Sequence, residues 1–221
     1  MAKRNRPTKR ELEEDQFVEW MVHASDYVKE RGRIFAAGAA AVVIIILAVN
    51  YVQASRVNAR TEAATLLGEV LMAEQGGQQE EAIRLGEQLL SQYSGTTASA
   101  HGTILLGNRY FNQGRYAEAE KLYQAYLTER GDIDVLVFAA WRGMAACYEA
   151  QDQYDKAAAK YAEYASTHAD NMAASLALMD AARCYGAMGD TQRQQDLLKQ
   201  VTREFASSPV SVRARQELEL L

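Results

Sequence analysis

The sequence predicts an all-α protein made of one transmembrane helix followed by a solenoid of helical hairpins. Three observations carry this prediction: the scarcity of proline, one long uncharged apolar run, and an internal repeat with a period of 37–38 residues. Proline occurs only twice among 221 residues, as Pro7 and Pro209. Because proline costs about 3 kcal/mol inside a helix and alanine costs nothing, this alanine-rich chain favours helices.

The apolar run predicts a transmembrane helix over residues 34–55. No charged side chain occurs among these 22 positions, and Asn50 is the main polar interruption. A helix of this length reaches ~33 Å, enough to cross a hydrocarbon core of ~30 Å. A cleaved signal peptide is the alternative, since Val52-Gln53-Ala54 resembles a cleavage site. The 33 residues before the run exceed the usual basic region of such a peptide.

Flanking charge predicts the orientation of this helix. The segment before the run carries eight basic residues, whereas only Arg56 and Arg60 follow it before Arg84. The positive-inside rule therefore places the N-terminus in the cytoplasm and the larger C-terminal part outside. For a bacterium, this predicts a single-pass protein of the inner membrane with a periplasmic domain.

Residues 1–33 are predicted to form a cytoplasmic basic tail and an amphipathic helix. Thr8 and Glu11 fit a capping box at the helix start. Apolar residues then recur at helical spacing: Phe17, Trp20, Met21, Ala24, Tyr27 and Val28. This apolar stripe could lie in the membrane interface or dock on a protein partner, and both alternatives stay open. The basic tail could also attract anionic lipid.

Internal repetition is the strongest signal in the rest of the chain. Shifting residues 106–127 by 38 positions aligns Tyr110, Tyr116, Ala119, Tyr123 and Tyr126 with Tyr148, Tyr154, Ala157, Tyr161 and Tyr164. A further copy begins at Cys184-Tyr185, and a degenerate first copy covers about residues 62–93. Gly114, Asp152 and Gly189 are predicted to close the turn between the two helices of each hairpin.

These repeats resemble the tetratricopeptide repeat, whose unit is two antiparallel helices. The matching residues are Leu106, Gly107, Tyr110, Ala119 and Tyr123, then Trp141, Ala145, Tyr148, Ala157 and Tyr161, and finally Leu178, Ala182, Tyr185 and Leu198. A small residue lets two helices approach, and the large residue three positions on fills the adjacent space. The predicted repeat domain covers residues 56–221, with units near 62–95, 99–131, 137–169 and 174–206 and a capping helix over 209–221.

Nothing in the sequence is typical of an enzyme. The motifs for catalytic zinc, phosphate loops, dinucleotides and activated nucleophiles do not occur, so we expect no catalytic residue, cofactor, metal or small-molecule substrate. The two cysteines, Cys147 and Cys184, occupy equivalent repeat positions and are expected to be buried and unpaired. Residues 34–221 carry 16 basic and 22 acidic side chains, which argues against a nucleic-acid partner.

Binding is therefore the expected activity. In the repeat family, the first helix of each unit lines a groove for peptide segments. By position, this resemblance implies a groove formed by His101, Ile104, Asn108, Phe111, Asn112, Arg142, Glu149, Met179 and Arg183. The alternative for each residue is an ordinary solvated surface.

The order of segments is similar to that of the ancillary-subunit family of the bacterial Sec translocon. The likeness rests on an acidic, Gln-containing amphipathic stretch (residues 13–17), the step Arg31-Gly32-Arg33, one membrane helix and a compact repeat domain. It implies a chaperone-like protein that binds near the translocon and passes secreted clients to periplasmic chaperones. The alternatives are a scaffold for envelope or outer-membrane protein assembly, and a structural subunit of another inner-membrane complex.

Overall fold

A computed structural model describes residues 18, 20–22, 25 and 31–221. The capping box and most of the amphipathic helix predicted for residues 1–33 lie outside these described residues, although residues 18, 20–22 and 25 are helical. Nine helices follow in the described part of the chain: α1 Gly32–Gln75, α2 Gln79–Tyr93, α3 Thr97–Asn112, α4 Tyr116–Glu129, α5 Asp134–Glu149, α6 Tyr154–Thr167, α7 Ala173–Ala187, α8 Thr191–Glu204 and α9 Pro209–Glu219. The predicted all-α class is confirmed.

The chain divides into two compact units, Met1–Val57 and Asn58–Leu221. Helix α1 begins in the first unit and ends in the second, and it is long and apolar enough to cross a membrane. Every described side chain from Ile34 to Val57 is exposed, including the isoleucines at positions 44–46. A run of exposed branched aliphatic side chains is costly in water and natural in lipid, because lipid removes the cost of hydrating apolar surface.

The second unit is a solenoid of helical hairpins, as predicted. Residues 58–75 of α1 share a buried apolar cluster with α2, and the pairs α3–α4, α5–α6 and α7–α8 follow. We call these pairs repeats 1 to 4. Each helix from α2 onward contacts the next one, and the first helix of repeat 3 also contacts the first helices of repeats 2 and 4. Neighbouring hairpins therefore bury apolar faces that none could bury alone.

The turn inside each hairpin has one geometry in all four repeats. The residues that adopt a left-handed backbone are Gly77, Gly114, Asp152 and Gly189, with φ between 58° and 75°. The N–H group of the next residue then bonds back to the last helical turn, as in the 2.8 Å contact from Arg115 to the Tyr110 carbonyl. This closure satisfies carbonyl groups that the helix end leaves free. The prediction that Gly114, Asp152 and Gly189 close the turns is confirmed.

Tyrosine side chains fill the spaces between the hairpins. Tyr123 is 1% exposed, and its ring lies against Gly107 of its own repeat and Gly143 of the next one. A Cβ atom added at Gly143 would lie 2.5 Å from the Tyr123 ring. Small residues thus allow the close approach that the repeat pattern predicts. Ala145 and Ala182, which occupy the position of Gly107 in repeats 3 and 4, are fully buried.

Helix α9 packs against both helices of repeat 4. The Ser208 hydroxyl accepts a hydrogen bond from the Val210 N–H, and Pro209 occupies the first turn, where a missing N–H costs nothing. Ala214 is buried in the core, whereas Arg213 and Arg215 are exposed.

Candidate binding groove

An open groove of about 860 Å³ lies along the first helices of repeats 2, 3 and 4. Helix α5 forms its centre, since α3 and α7 both contact this helix. Its lining includes Asn108 and Phe111 from α3, Val135, Phe138, Ala139, Arg142, Gly143, Ala146 and Glu149 from α5, and Arg183 and Ala187 from α7, with Tyr123, Tyr154 and Tyr161 from the second helices. We call this surface the α5 groove. It combines apolar side chains with paired charges.

Two tyrosine hydroxyl groups form hydrogen bonds at the base of the α5 groove. Tyr123 donates to Oδ1 of Asn108 at 2.7 Å, and Tyr161 donates to Oε1 of Glu149, also at 2.7 Å. Burial raises the pKa of both phenols above the ordinary range, and the Glu149 carboxylate raises that of Tyr161 further. Both tyrosines therefore act as neutral donors that fix the polar groups above them.

Two arginine–carboxylate pairs cross from α5 to α7. Both terminal nitrogens of Arg183 donate to the Glu149 carboxylate, and Nε of Arg142 donates to Oδ2 of Asp180 at 3.1 Å. Burial acts to raise the pKa of Glu149, but hydrogen bonds from Arg183 and Tyr161 outweigh it, so the pKa is lowered. Glu149 is therefore ionised at neutral pH and holds Arg183 in place.

Aromatic and aliphatic side chains form the apolar part of the groove. Val135 is 68% exposed although it is purely apolar. The Phe138 ring lies 5.0 Å from the Tyr164 ring, and the Phe111 ring lies 5.4 Å from that of Tyr116. Each phenylalanine is thus fixed from below by a tyrosine and presents a firm apolar surface to the groove.

The structure brings five of the nine predicted groove residues to this surface: Asn108, Phe111, Arg142, Glu149 and Arg183. The other four lie elsewhere. Ile104 is buried in the core, His101 is half-buried in the same helix, and Asn112 is exposed at the end of α3. Met179 lines an adjoining cavity between α7 and α9, beside Val210, which shares Arg142 and Arg183 with the α5 groove.

Apart from Phe111, sequence reasoning missed the apolar part of the groove. Val135, Phe138, Ala139 and Ala146 lie at spacings of three, four and seven residues from Arg142, so they share its face of α5. That periodicity was available in the sequence. It was not decisive, because helix α5 is apolar on nearly all sides and the pattern does not tell a groove face from a core face.

Among the described residues, no group of three or more His, Cys, Asp or Glu is placed to hold a metal ion. Cys147 and Cys184 are buried free thiols, as predicted. Burial raises the pKa of both thiols to about 12, so both stay protonated at neutral pH.

The hairpin solenoid and the open groove define a class of protein: a helical-repeat module for protein–protein interaction. The tetratricopeptide repeat-like domain family matches residues 25–177, which is more than half of the chain, and the chain belongs to that family.

Solved structures agree on the fold. A tetratricopeptide repeat protein from Parabacteroides merdae is 14% identical, with a TM-score of 0.57 over 72% of this chain and 59% of that one. The nearly identical TPR-like repeats of a protein assigned as a kinesin light chain in Podosopora anserina are 21% identical, with a TM-score of 0.54 over 72% of this chain and 84% of that one. No curated protein matches the sequence.

Proposed function

We propose that the protein is a membrane-anchored periplasmic interaction module that associates with the Sec translocon and binds emerging polypeptides in the manner of a chaperone. The α5 groove carries this proposal. Its surface mixes fixed apolar rings with paired charges and is open along its length, which suits an extended polypeptide segment better than a compact small molecule.

Helix α1 supports the membrane anchor. Its residues 34–55 carry no charge, and all of their described side chains are exposed. The excess of basic residues before this segment supports a cytoplasmic N-terminus and a periplasmic repeat domain. An anchor beside the membrane would keep the groove near polypeptides as they leave a translocation channel, because tethering raises the local concentration of a binding site.

Position-specific photocrosslinking in native membranes tests this proposal. A photoreactive amino acid replaces Val135, which is exposed in the groove, or Ser166, which is exposed on α6 and does not line the groove. The full-length variants are irradiated while secretory proteins are being exported, and the crosslinked partners are identified by mass spectrometry. We expect position 135 to capture secretory polypeptides and periplasmic chaperones, and position 166 to capture few of either.

The translocon association has its own readout in the same membranes. Translocon subunits should copurify with the protein in mild detergent after brief crosslinking, and their yield should not depend on export. Equal capture of secretory polypeptides at positions 135 and 166 would contradict a binding role for the groove. Copurification of a different membrane assembly without translocon subunits would contradict the translocon association.

The exposed apolar face of α1 also favours a second function, in which this helix is the main contact with another membrane complex. A scaffold for envelope or outer-membrane protein assembly is a related possibility with different partners. Replacing residues 34–55 by an unrelated transmembrane helix separates these functions. The exchange should abolish association if the helix is the contact, and should preserve crosslinking at position 135 if the groove binds the partners.

A further inference from the structure

The charges of the α5 groove are exposed unequally. The carboxylates of Asp180 and Glu149 are only 15% and 16% exposed, whereas the side chains of their partners Arg142 and Arg183 are 58% and 50% exposed. The formal charges cancel, but the two guanidinium groups face the solvent and the two carboxylates lie beneath them. A ligand in the groove therefore meets positive charge first.

Arg142 also retains unused hydrogen-bonding capacity. Its Nε bonds to Asp180, and in the part of the chain that the structure describes its two terminal nitrogens form no hydrogen bond. Arg183, in contrast, uses both terminal nitrogens on Glu149. Because the planar guanidinium group matches the geometry of a carboxylate, Arg142 is suited to donate hydrogen bonds to an acidic side chain of a ligand.

The apolar surface begins one helical turn before Arg142. Phe138 and Arg142 are four residues apart on α5, which corresponds to ~6 Å along the helix axis. An extended peptide advances ~3.3 Å per residue, so two of its residues cover nearly the same distance. A peptide lying along α5 could therefore place an apolar side chain against Phe138 and Val135 and an acidic side chain against Arg142.

We propose that the α5 groove selects extended polypeptide segments in which a large apolar residue and an acidic residue are two positions apart. This inference rests on the proposed binding function and specifies its ligand. Arg142 supplies the charge selectivity, and Phe138 with Val135 supplies the apolar contact. Glu149 and Asp180 hold the two arginines without neutralising the surface that they present.

Binding of matched synthetic peptides to the full-length protein in detergent tests this inference. A soluble peptide of glycine and serine carries one phenylalanine and, two residues away, glutamate, glutamine or lysine. Fluorescence anisotropy gives the affinity of each. We expect the glutamate peptide to bind about tenfold more tightly than the lysine peptide, with the glutamine peptide between them. The preference should shrink as salt is raised, because the arginines are exposed.

Two variants and one control locate the selectivity. Arg142→Gln should reduce the glutamate preference to about twofold or less while leaving the affinity for the glutamine peptide nearly unchanged. Phe138→Ala should weaken all three peptides by similar factors. Arg203→Gln removes an exposed arginine on α8, outside the groove, and should leave the preference intact. Thermal unfolding of each variant confirms that it is folded.

The outcomes separate this inference from the function on which it rests. Equal affinity for the glutamate and lysine peptides, with weaker binding after Phe138→Ala, would overturn the charge selectivity and leave the groove as a general polypeptide site. A glutamate preference that survives Arg142→Gln would overturn the role of Arg142. Failure of all three peptides to bind would overturn the binding function itself.

Discussion

Repeats 2 and 3 have the same hairpin structure and the same buried tyrosine, but the acceptor of the tyrosine hydroxyl differs between them. Tyr123 and Tyr161 are equivalent at a shift of 38 residues, and both are buried. Tyr123 donates to the neutral Asn108, whereas Tyr161 donates to the charged Glu149, which lies one helical turn further along its own helix. At the two corresponding positions, repeat 3 has Ala146 in place of the amide, and repeat 2 has Phe111 in place of the carboxylate.

This difference separates two kinds of position in the repeat. The tyrosine, the small residue beneath it and the turn residue specify the hairpin and recur in repeats 2 and 3, because both hairpins must pack against their neighbours in the same way. The residue that accepts the hydrogen bond from the tyrosine hydroxyl can occupy a different position in each repeat, since any acceptor within reach satisfies a buried O–H group. Because the acceptor differs in position, the same site of the repeat carries the charged Glu149 in repeat 3 and the apolar ring of Phe111 in repeat 2.

The largest expected effect concerns the glycine against which repeat 2 packs. Gly143→Val places a branched side chain where even a Cβ atom would lie 2.5 Å from the Tyr123 ring. Overpacking of this kind should destabilise the protein by about 3 kcal/mol. Chemical denaturation of the full-length protein in detergent, followed by tryptophan fluorescence, measures the loss. Ala139→Val, one turn earlier on the same face, should cost less than about 1 kcal/mol.

A second substitution checks that Tyr123 causes this effect. Leu198 is the equivalent of Tyr123 in repeat 4, so leucine at this position is compatible with the hairpin fold and Tyr123→Leu is a suitable replacement. Combined with Gly143→Val, it should recover at least about 1 kcal/mol relative to the sum of the two single changes. Strict additivity of the two changes would mean that the ring and the glycine do not limit each other.

The next effect distinguishes the charged acceptor from the neutral one. Tyr161→Phe removes a hydrogen bond to an ionised carboxylate and should cost about 1.5–2 kcal/mol, whereas Tyr123→Phe removes a bond to an amide and should cost about 1 kcal/mol. Denaturation at neutral pH measures both variants. Equal losses would indicate that the charge of Glu149 adds nothing to the packing of repeat 3.

The same pair predicts a pH dependence that repeat 2 lacks at this position. The pKa of Glu149 is lowered in the folded protein from an ordinary value of 4.5, since hydrogen bonds from Arg183 and Tyr161 outweigh the opposing effect of burial. Its stabilising contribution is therefore present above pH 4.5 and is lost as the pH falls below that value through the lowered pKa. Glu149→Gln should flatten this acid-induced loss, and Glu163→Gln, at an exposed site, should not.

The sequence predicted the recurring positions well and the groove only in part. Gly107 and Gly114 act on residues within their own hairpin, so a periodic pattern was sufficient to identify them. The pair Arg142–Asp180 joins residues 38 apart on neighbouring helices. Such a pair depends on the rotation of α5 against α7, which is set by packing across the whole solenoid. The helical pattern of each segment does not contain that rotation.

A smaller effect concerns the turns of repeats 2 and 3. Gly114 and Asp152 both have a left-handed backbone, with φ of 74° and 58°. This conformation suits glycine and costs other residues about 1 kcal/mol. Gly114→Ala should therefore destabilise the protein by about 1 kcal/mol, and Asp152→Gly should stabilise it by about 0.5 kcal/mol. Thermal unfolding that shifted in the same direction for both variants would contradict the shared turn geometry.

The smallest effect concerns the second tyrosine of repeats 2 and 3. In repeat 2, the Tyr126 hydroxyl exchanges two long hydrogen bonds of 3.3 Å with the backbone of Ile133. In repeat 3, the equivalent Tyr164 hydroxyl is buried without a hydrogen-bond partner in the described part of the chain. A buried hydroxyl group that forms no hydrogen bond has lost its bonds to water, and nothing offsets that desolvation cost.

Tyr164→Phe should therefore stabilise the protein slightly, by no more than about 0.5 kcal/mol. Tyr126→Phe should instead destabilise the protein by about 0.5–1 kcal/mol. Both values come from denaturation of the full-length protein, and a loss above about 1 kcal/mol for Tyr164→Phe would show that its hydroxyl has a partner in solution.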